Sequence, residues 1–242
     1  AINRKVINNT LYYGLAKPWP AMVHPASPYF KESFAKYIDY DPERAKKLLN
    51  EAGIVDQNDD GWREMPNGDP FKVTIEGREF GGNFTKGVQM VIDYWKEIGL
   101  RFNLKIIQQN LWVNKVNSNK LDVTYFSIWQ GGPLDFPANV WGTNAFVPIE
   151  VTHPGVTAHW VEWCRWNQTN GEKGIEPPAK IKQVIKWYNK ALSTTEASVR
   201  KEYSQKILKA AANNVWTVSV VGFKADPMVV NDNLRNFPEA FI

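Results

Sequence analysis

The sequence predicts an α/β domain, and three observations predict it. Two short segments alternate apolar and polar residues at the strand period: Phe71, Val73 and Ile75 against Lys72, Thr74 and Glu76, then Phe102, Leu104 and Ile106. Between them lies a stretch with apolar residues at the helical period: Val88, Val91, Ile92, Trp95 and Ile98. Strand, helix and strand at this spacing form a βαβ unit, so the two strands are expected to pair in parallel.

The elements follow in order. The opening Ala1-Ile2-Asn3-Arg4-Lys5-Val6-Ile7 reads as the inside of a helix, and no Ser, Thr, Asp or Asn precedes Ala1 to cap it. Residues 12–40 read as loop, with Pro18, Pro20, Pro25 and Pro28 among aromatics. Asp41-Pro42 opens a helix, since Asp caps free N–H groups and Pro fits the first turn. Ala45, Leu48, Leu49 and Ala52 are its apolar stripe, and Gly53 ends it. Asp56, Asn58, Asp60 and Gly61 are spaced like the first half of a calcium loop, but the twelfth position is Asn67 instead of Glu, so an acidic turn is expected. After the first strand a helix begins near Asn83 and stops at Gly99. A short helix near Leu111–Asn117 leads to a third strand, Leu121–Ile128.

Residues 129–178 lack clear periodicity, and so long an irregular stretch inside a domain is usually functional. Two helices follow. The first carries Ile181, Val184, Ile185, Tyr188, Ala191 and Leu192; the second starts with Ser193 and Glu196 at capping-box spacing and carries Tyr203, Ile207, Leu208 and Ala211. Val218–Phe223 reads as a last strand. The expected sheet holds residues near 71–76, 102–107, 121–128 and 218–223.

Composition bounds the function. With 242 residues, 43% hydrophobic and 22% charged, the chain has material for a real core and is neither disordered nor fibrous. No apolar run approaches the roughly 18 residues of a membrane-spanning helix. The net charge of +4 is scattered without a block of basic residues, so no nucleic-acid partner is expected. The single cysteine, Cys164, forbids an internal disulfide and any multi-cysteine zinc site. His153, His159 and Cys164 match no common zinc spacing. Motifs for nucleophilic hydrolysis, zinc proteolysis and nucleotide binding are absent, so neither catalysis nor a cofactor or structural metal is expected. The 11 tryptophans suit either a large core or a cleft that binds flat ligand faces. Lys180, Lys182, Lys186 and Lys190 read as a solvated face. Both ends read as those of a fragment or of a trimmed mature chain, so missing targeting signals say nothing of location.

Several segments, taken in order, resemble the extracellular solute-binding proteins of peptide and oligosaccharide ABC transporters, family 5. They are AINRKVI, YDPERAKKLLNEAGIVDQNDDGW, YWKEIGLRFNLKI, LDVTYFSIWQGGPLDFP, IKQVIKWYNKALSTTEASVRKEYSQKILKAA and VVNDNLRNFPE. The resemblance implies a periplasmic-binding-protein-like (type II) lobe with a mixed, mostly parallel sheet flanked by helices. It implies that residues 1–242 are the C-terminal lobe of a two-lobed protein that closes on its ligand about a hinge. It further implies a periplasmic or extracellular location, lipid-anchored in some members, and membrane ABC permease subunits as partners. A monomer is expected.

The turn Trp129-Gln130-Gly131-Gly132-Pro133-Leu134-Asp135 follows the third strand, where ligands of open α/β sheets sit. Peptide-binding members of the family commonly carry an Asp three residues after the matching Trp, which pairs with the peptide's amino group. Here that position is Gly132. A buried ammonium without a carboxylate partner is costly. Asp135, before Phe136-Pro137, resembles the family's structural Asp-Pro turn. Indole faces stack on the C–H faces of pyranose rings, and amides bind their hydroxyls. The irregular segment supplies Trp129, Trp141, Trp160, Trp163 and Trp166 with Gln130, Asn139, Asn144, Asn167 and Gln168. The expected ligand-binding set is Trp129, Gln130, Asp135, Trp141, Asn144 and Trp166, with an oligosaccharide of short β-linked type as ligand. An oligopeptide receptor of the same fold, a glycoside hydrolase and an interaction domain without small ligand are the competing readings. Trp160, Trp163 and Trp166 also fit one helix stripe, while Trp95, Trp187 and Trp216 read as core.

Overall fold

The computed structural model describes residues 1–19, 23–79, 81–125, 136–138, 143–149, 151, 160–222, 231, 233 and 235–236. Helix α1 spans Arg4–Tyr12. Its N-cap lies inside the chain: the Asn3 side chain accepts the Val6 N–H at 3.1 Å, where the sequence suggested an uncapped helix interior. The apolar residues Ile2 and Ile7 are buried against Val91, with Leu11, Met90 and Tyr94 packed around them. The stretch read as loop holds a two-residue strand, β1 (Lys17–Pro18), and a single 3₁₀ turn (Glu32–Phe34) whose Phe34 enters the core.

Helix α2 (Pro42–Glu51) starts as expected, with the Asp41 carboxylate accepting the Arg44 N–H at 2.8 Å. Its apolar stripe is not core, however. None of its residues is buried and Leu48 is 51% exposed. The segment following it is tied down by polar bonds instead. The Arg63 guanidinium donates to Asn50 Oδ1, to the Ile54 carbonyl and to the Ile98 carbonyl. The acidic stretch is a turn closed on its own backbone. Asp56 accepts the Asp60 and Gly61 N–H groups, and Asp60 accepts that of Trp62.

The expected βαβ unit forms. Strands β2 (Lys72–Gly77) and β3 (Arg101–Ile106) pair in parallel, Lys72 opposite Arg101 through Gly77 opposite Ile106. Helix α3 (Phe84–Lys96) crosses between them, burying Val91 and Ile92, and Trp95 lies on Phe102 with ring centroids 4.5 Å apart. Gly99, at φ +83°, makes the left-handed turn that ends this segment. On the other side of β2, Val123 bridges Ile75 in parallel and its carbonyl accepts the Glu76 N–H at 2.9 Å. Ile75, flanked on both sides, is 3% exposed. Helix α4 (Gln109–Asn117) buries Trp112 and Val116, and Lys115 reaches Glu76 of β2 at 2.6 Å.

Helices α5 (Val161–Gln168), α6 (Ala179–Ser193) and α7 (Ala197–Asn214) complete the layer. Ile181, Val184, Ile185, Tyr188 and Ala191 of α6 are buried at the expected period, and Ile207, Leu208 and Ala211 of α7 face them. Each such aliphatic side chain taken out of water contributes about 1.5–3 kcal/mol. Leu192, expected on the same stripe, is 46% exposed. The capping box does not form. Ser193 ends α6, Glu196 makes no side-chain cap, and its N–H is accepted by the Thr194 hydroxyl at 3.1 Å.

The last strand departs from expectation. Strand β4 (Val221–Gly222) leaves the βαβ sheet and pairs antiparallel with β1. Arg4 holds it there by donating to the Ser219 carbonyl at 3.0 Å, while Val220 packs on the α1–α3 cluster. Asn8, buried beneath, donates to the Ala16 carbonyl at 2.6 Å and accepts the Ala16 N–H at 3.0 Å.

Candidate functional site

In open α/β sheets ligands bind beyond the carboxyl ends of the strands. Here that edge is built by Gly77, Arg78 and Glu79 leaving β2, Thr85 in the first turn of α3, and Tyr125 two residues beyond the Val123 bridge. Backbone sterics set the arrangement. A Cβ on Gly77 would stand 2.1–2.8 Å from the Tyr125 ring, so only glycine lets the ring lie across the end of β2. The Tyr125 hydroxyl donates to the Arg78 carbonyl at 2.9 Å and lies 3.4 Å from the Thr85 hydroxyl. Burial pushes the Tyr125 phenol above its ordinary value, which keeps it a proton donor.

Glu79 is exposed but held. Its Oε1 accepts the Gly81 N–H at 3.0 Å and its Oε2 the Thr85 hydroxyl at 2.9 Å. The Arg78 guanidinium lies over the Trp112 ring, 5.6 Å from its centroid, and donates to the Glu79 main-chain carbonyl at 3.4 Å. Trp112, 1% exposed, donates its indole N–H to the Thr124 hydroxyl at 2.9 Å. The edge thus presents an ordered carboxylate beside two hydroxyls, groups able to bond polar ligand atoms.

Trp129, Gln130, Gly132, Asp135 and Trp141 lie outside the described residues, as do His153 and His159. Asn144 is fully buried, and its Oδ1 accepts the Ile149 N–H at 3.1 Å. Trp166 is half-buried on α5, with the Lys182 ammonium 5.3 Å from its centroid. Asn144 and the α5 face next to Trp166 come together at Ile149, whose carbonyl accepts from Asn167. Gln168 accepts the Val151 N–H. These three amides therefore bond backbone in this structure. Trp160 is buried, 5.3 Å from both Trp163 and Trp216, so this stripe is at least partly core. Trp187 and Trp216 pack on the same cluster. Lys186 and Lys190 are exposed, as a solvated face requires.

Cys164 is buried in the core. His24 accepts the Ala26 N–H on Nδ1 at 3.1 Å, and burial lowers its pKa. Among the described residues no three His, Cys, Asp or Glu side chains are grouped to hold a metal ion, and no helix is long and apolar enough to cross a membrane. Arg78, Glu79, Thr85 and Tyr125 were missed in the sequence. The rule that singled out the turn after the third strand applies equally to the loop after β2, and would have found Arg78 and Glu79.

The chain resembles solved structures over most of its length. It is 27% identical to the oligopeptide-binding protein OppA, with a TM-score of 0.78 over 92% of this chain and 36% of that one. A mannohexaose-bound periplasmic oligopeptide-binding protein from Thermotoga maritima aligns at 22% identity and TM-score 0.67, over 91% of this chain and 39% of that one. The periplasmic binding protein MelB from Agrobacterium fabrum, in complex with stachyose, aligns at 17% and 0.72, over 92% and 32%. The chain thus spans 32–39% of the length of these proteins. The fold is that of the type II periplasmic binding proteins. No curated protein matches the chain. The model of the bacterial extracellular solute-binding proteins, family 5 middle, matches residues 1–146, more than half of the sequence. With its parallel strands opening onto a polar edge, the chain belongs to the bacterial extracellular solute-binding proteins of family 5.

Proposed function

We propose that residues 1–242 are the C-terminal lobe of a two-lobed solute-binding protein, and that the whole protein delivers its ligand to ABC permease subunits without chemical change. It acts as a monomer in the periplasm or outside the cell, free or lipid-anchored. The ligand is a short β-linked oligosaccharide of manno- or cello-type, held when the lobes close on it. The observation that carries the ligand class is Gly132, which stands three residues after Trp129, where the family resemblance implies that peptide-binding members commonly carry an Asp. The hydroxyls of Thr85 and Tyr125 at the strand edge support it, as does the mannohexaose in a structure of the same fold.

Trp129 and Trp141 stack on the sugar rings. An indole face covered by ligand contributes about 1–3 kcal/mol, so Trp129→Ala and Trp141→Ala are each expected to weaken binding of cello- or manno-oligosaccharides about ten- to a hundredfold. Calorimetric titration of the full-length protein with these sugars and with a mixed peptide pool tests this. Binding of peptides but not sugars, indifferent to both substitutions, would replace the reading by an oligopeptide receptor. That second reading has its own support in the 27% identity to OppA.

One lobe supplies only part of a closed cleft. The chain of residues 1–242 by itself is therefore expected to bind these sugars at least about a hundredfold more weakly than the two-lobed protein. Thermal shift of both in the same sugar panel measures it, since a ligand stabilises as the logarithm of its concentration over Kd. Equal shifts would mean that the site is complete within this chain.

A further inference from the structure

We infer that Glu79 is the carboxylate that reads a pair of neighbouring hydroxyls on the bound sugar, an assignment that rests on the oligosaccharide reading above. Four observations carry it. Glu79 stands at the carboxyl end of β2, on the edge where ligands of parallel sheets bind. Its side chain is exposed, yet fixed on both oxygens, by the Gly81 N–H at 3.0 Å and the Thr85 hydroxyl at 2.9 Å. Among the described residues no Lys, Arg or His forms an ion pair with it. The adjacent Arg78 guanidinium lies over Trp112 and donates to the Glu79 main-chain carbonyl at 3.4 Å.

An ionised carboxylate has about four acceptor positions, and the two bonds to Gly81 and Thr85 leave one free on each oxygen. Two parallel acceptors match two O–H donors on adjacent ring carbons, and hydrogen bonds to a charged acceptor are the strong ones. Because Glu79 is ordered before ligand arrives, little rotamer entropy is lost on binding. Thr85 acts through Glu79 as a positioning residue, and Tyr125, 3.4 Å from the Thr85 hydroxyl, limits where Thr85 sits.

The test is calorimetric titration of the full-length protein with a β-1,4-linked oligosaccharide, with its analogue lacking one of the two hydroxyls, and with the mixed peptide pool. Wild type, Glu79→Gln, Thr85→Val and Trp129→Ala are compared. Glu79→Gln keeps the shape but loses the charge and one acceptor, and is expected to weaken sugar binding about tenfold with an unchanged Tm. Thr85→Val is expected to weaken it about threefold. The deoxy analogue should bind wild type about tenfold more weakly and distinguish little between wild type and Glu79→Gln, because both changes remove the same bond. If Glu79→Gln binds sugar as tightly as wild type while Trp129→Ala does not, the Glu79 assignment is overturned and the oligosaccharide reading stands. If wild type binds the peptide pool and no sugar, both are overturned.

Discussion

Gly77→Ala is expected to lower stability by about 3 kcal/mol, at the upper end of overpacking costs. The added methyl would lie 2.1 Å from one Tyr125 ring carbon and 2.6 and 2.8 Å from two others. The ring cannot simply swing aside, because its hydroxyl is bonded to the Arg78 carbonyl and it lies beside Thr85. Gly77 is buried in the last pair of the β2–β3 ladder, and its carbonyl accepts the Ile107 N–H at 2.9 Å, so the backbone is equally confined. Urea unfolding gives the loss as a lower midpoint at unchanged slope. Combining Gly77→Ala with Tyr125→Ala is expected to cost clearly less than the sum of the single changes, since removing the ring removes the clash. Strict additivity of the two would show that Gly77 meets something other than Tyr125.

The second large effect is expected at Asn8→Ala, a loss of about 3 kcal/mol. Asn8 is 7% exposed, and its amide serves both the N–H and the carbonyl of the equally buried Ala16, as a neighbouring strand would. Truncation leaves both backbone groups without a partner, and each unsatisfied buried group costs about 1–3 kcal/mol. Asn8→Asp should be similarly damaging, because a carboxylate accepts the Ala16 N–H but repels its carbonyl. Hydrogen exchange adds a local readout: the Ala16 amide should lose protection in Asn8→Ala before the β2–β3 amides do. Retained protection at Ala16 would sink the argument.

These two positions show where local pattern stops being informative. The βαβ unit, the α6–α7 pair and the helix-ending Gly99 follow from alternation at period two, recurrence near 3.6 and a left-handed turn, all properties of neighbouring residues. Family membership was legible for a similar reason, since it rests on the order of such segments. Which aromatics follow the third strand could also be read along the chain.

Other features depend on partners distant in sequence. Asn8 reads as an ordinary polar helix residue until the fold brings Ala16 against it. The 218–223 segment has strand character, but partners distant in sequence, Arg4 on Ser219 and the α1–α3 cluster under Val220, place it against β1 instead of the central sheet. The stripe on α2 has helical spacing, yet none of its residues is buried, so periodicity alone did not settle its burial. The same holds at the strand edge. Glu79 is one of many carboxylates in the sequence. Its ordering comes from Thr85, across the crossover into α3, and the room for Tyr125 comes from a missing Cβ on Gly77. Local periodicity determines which elements form, because it is a property of one segment. Tertiary packing decides which polar groups are fixed or left available, because that depends on atoms that only the folded chain brings within bonding distance.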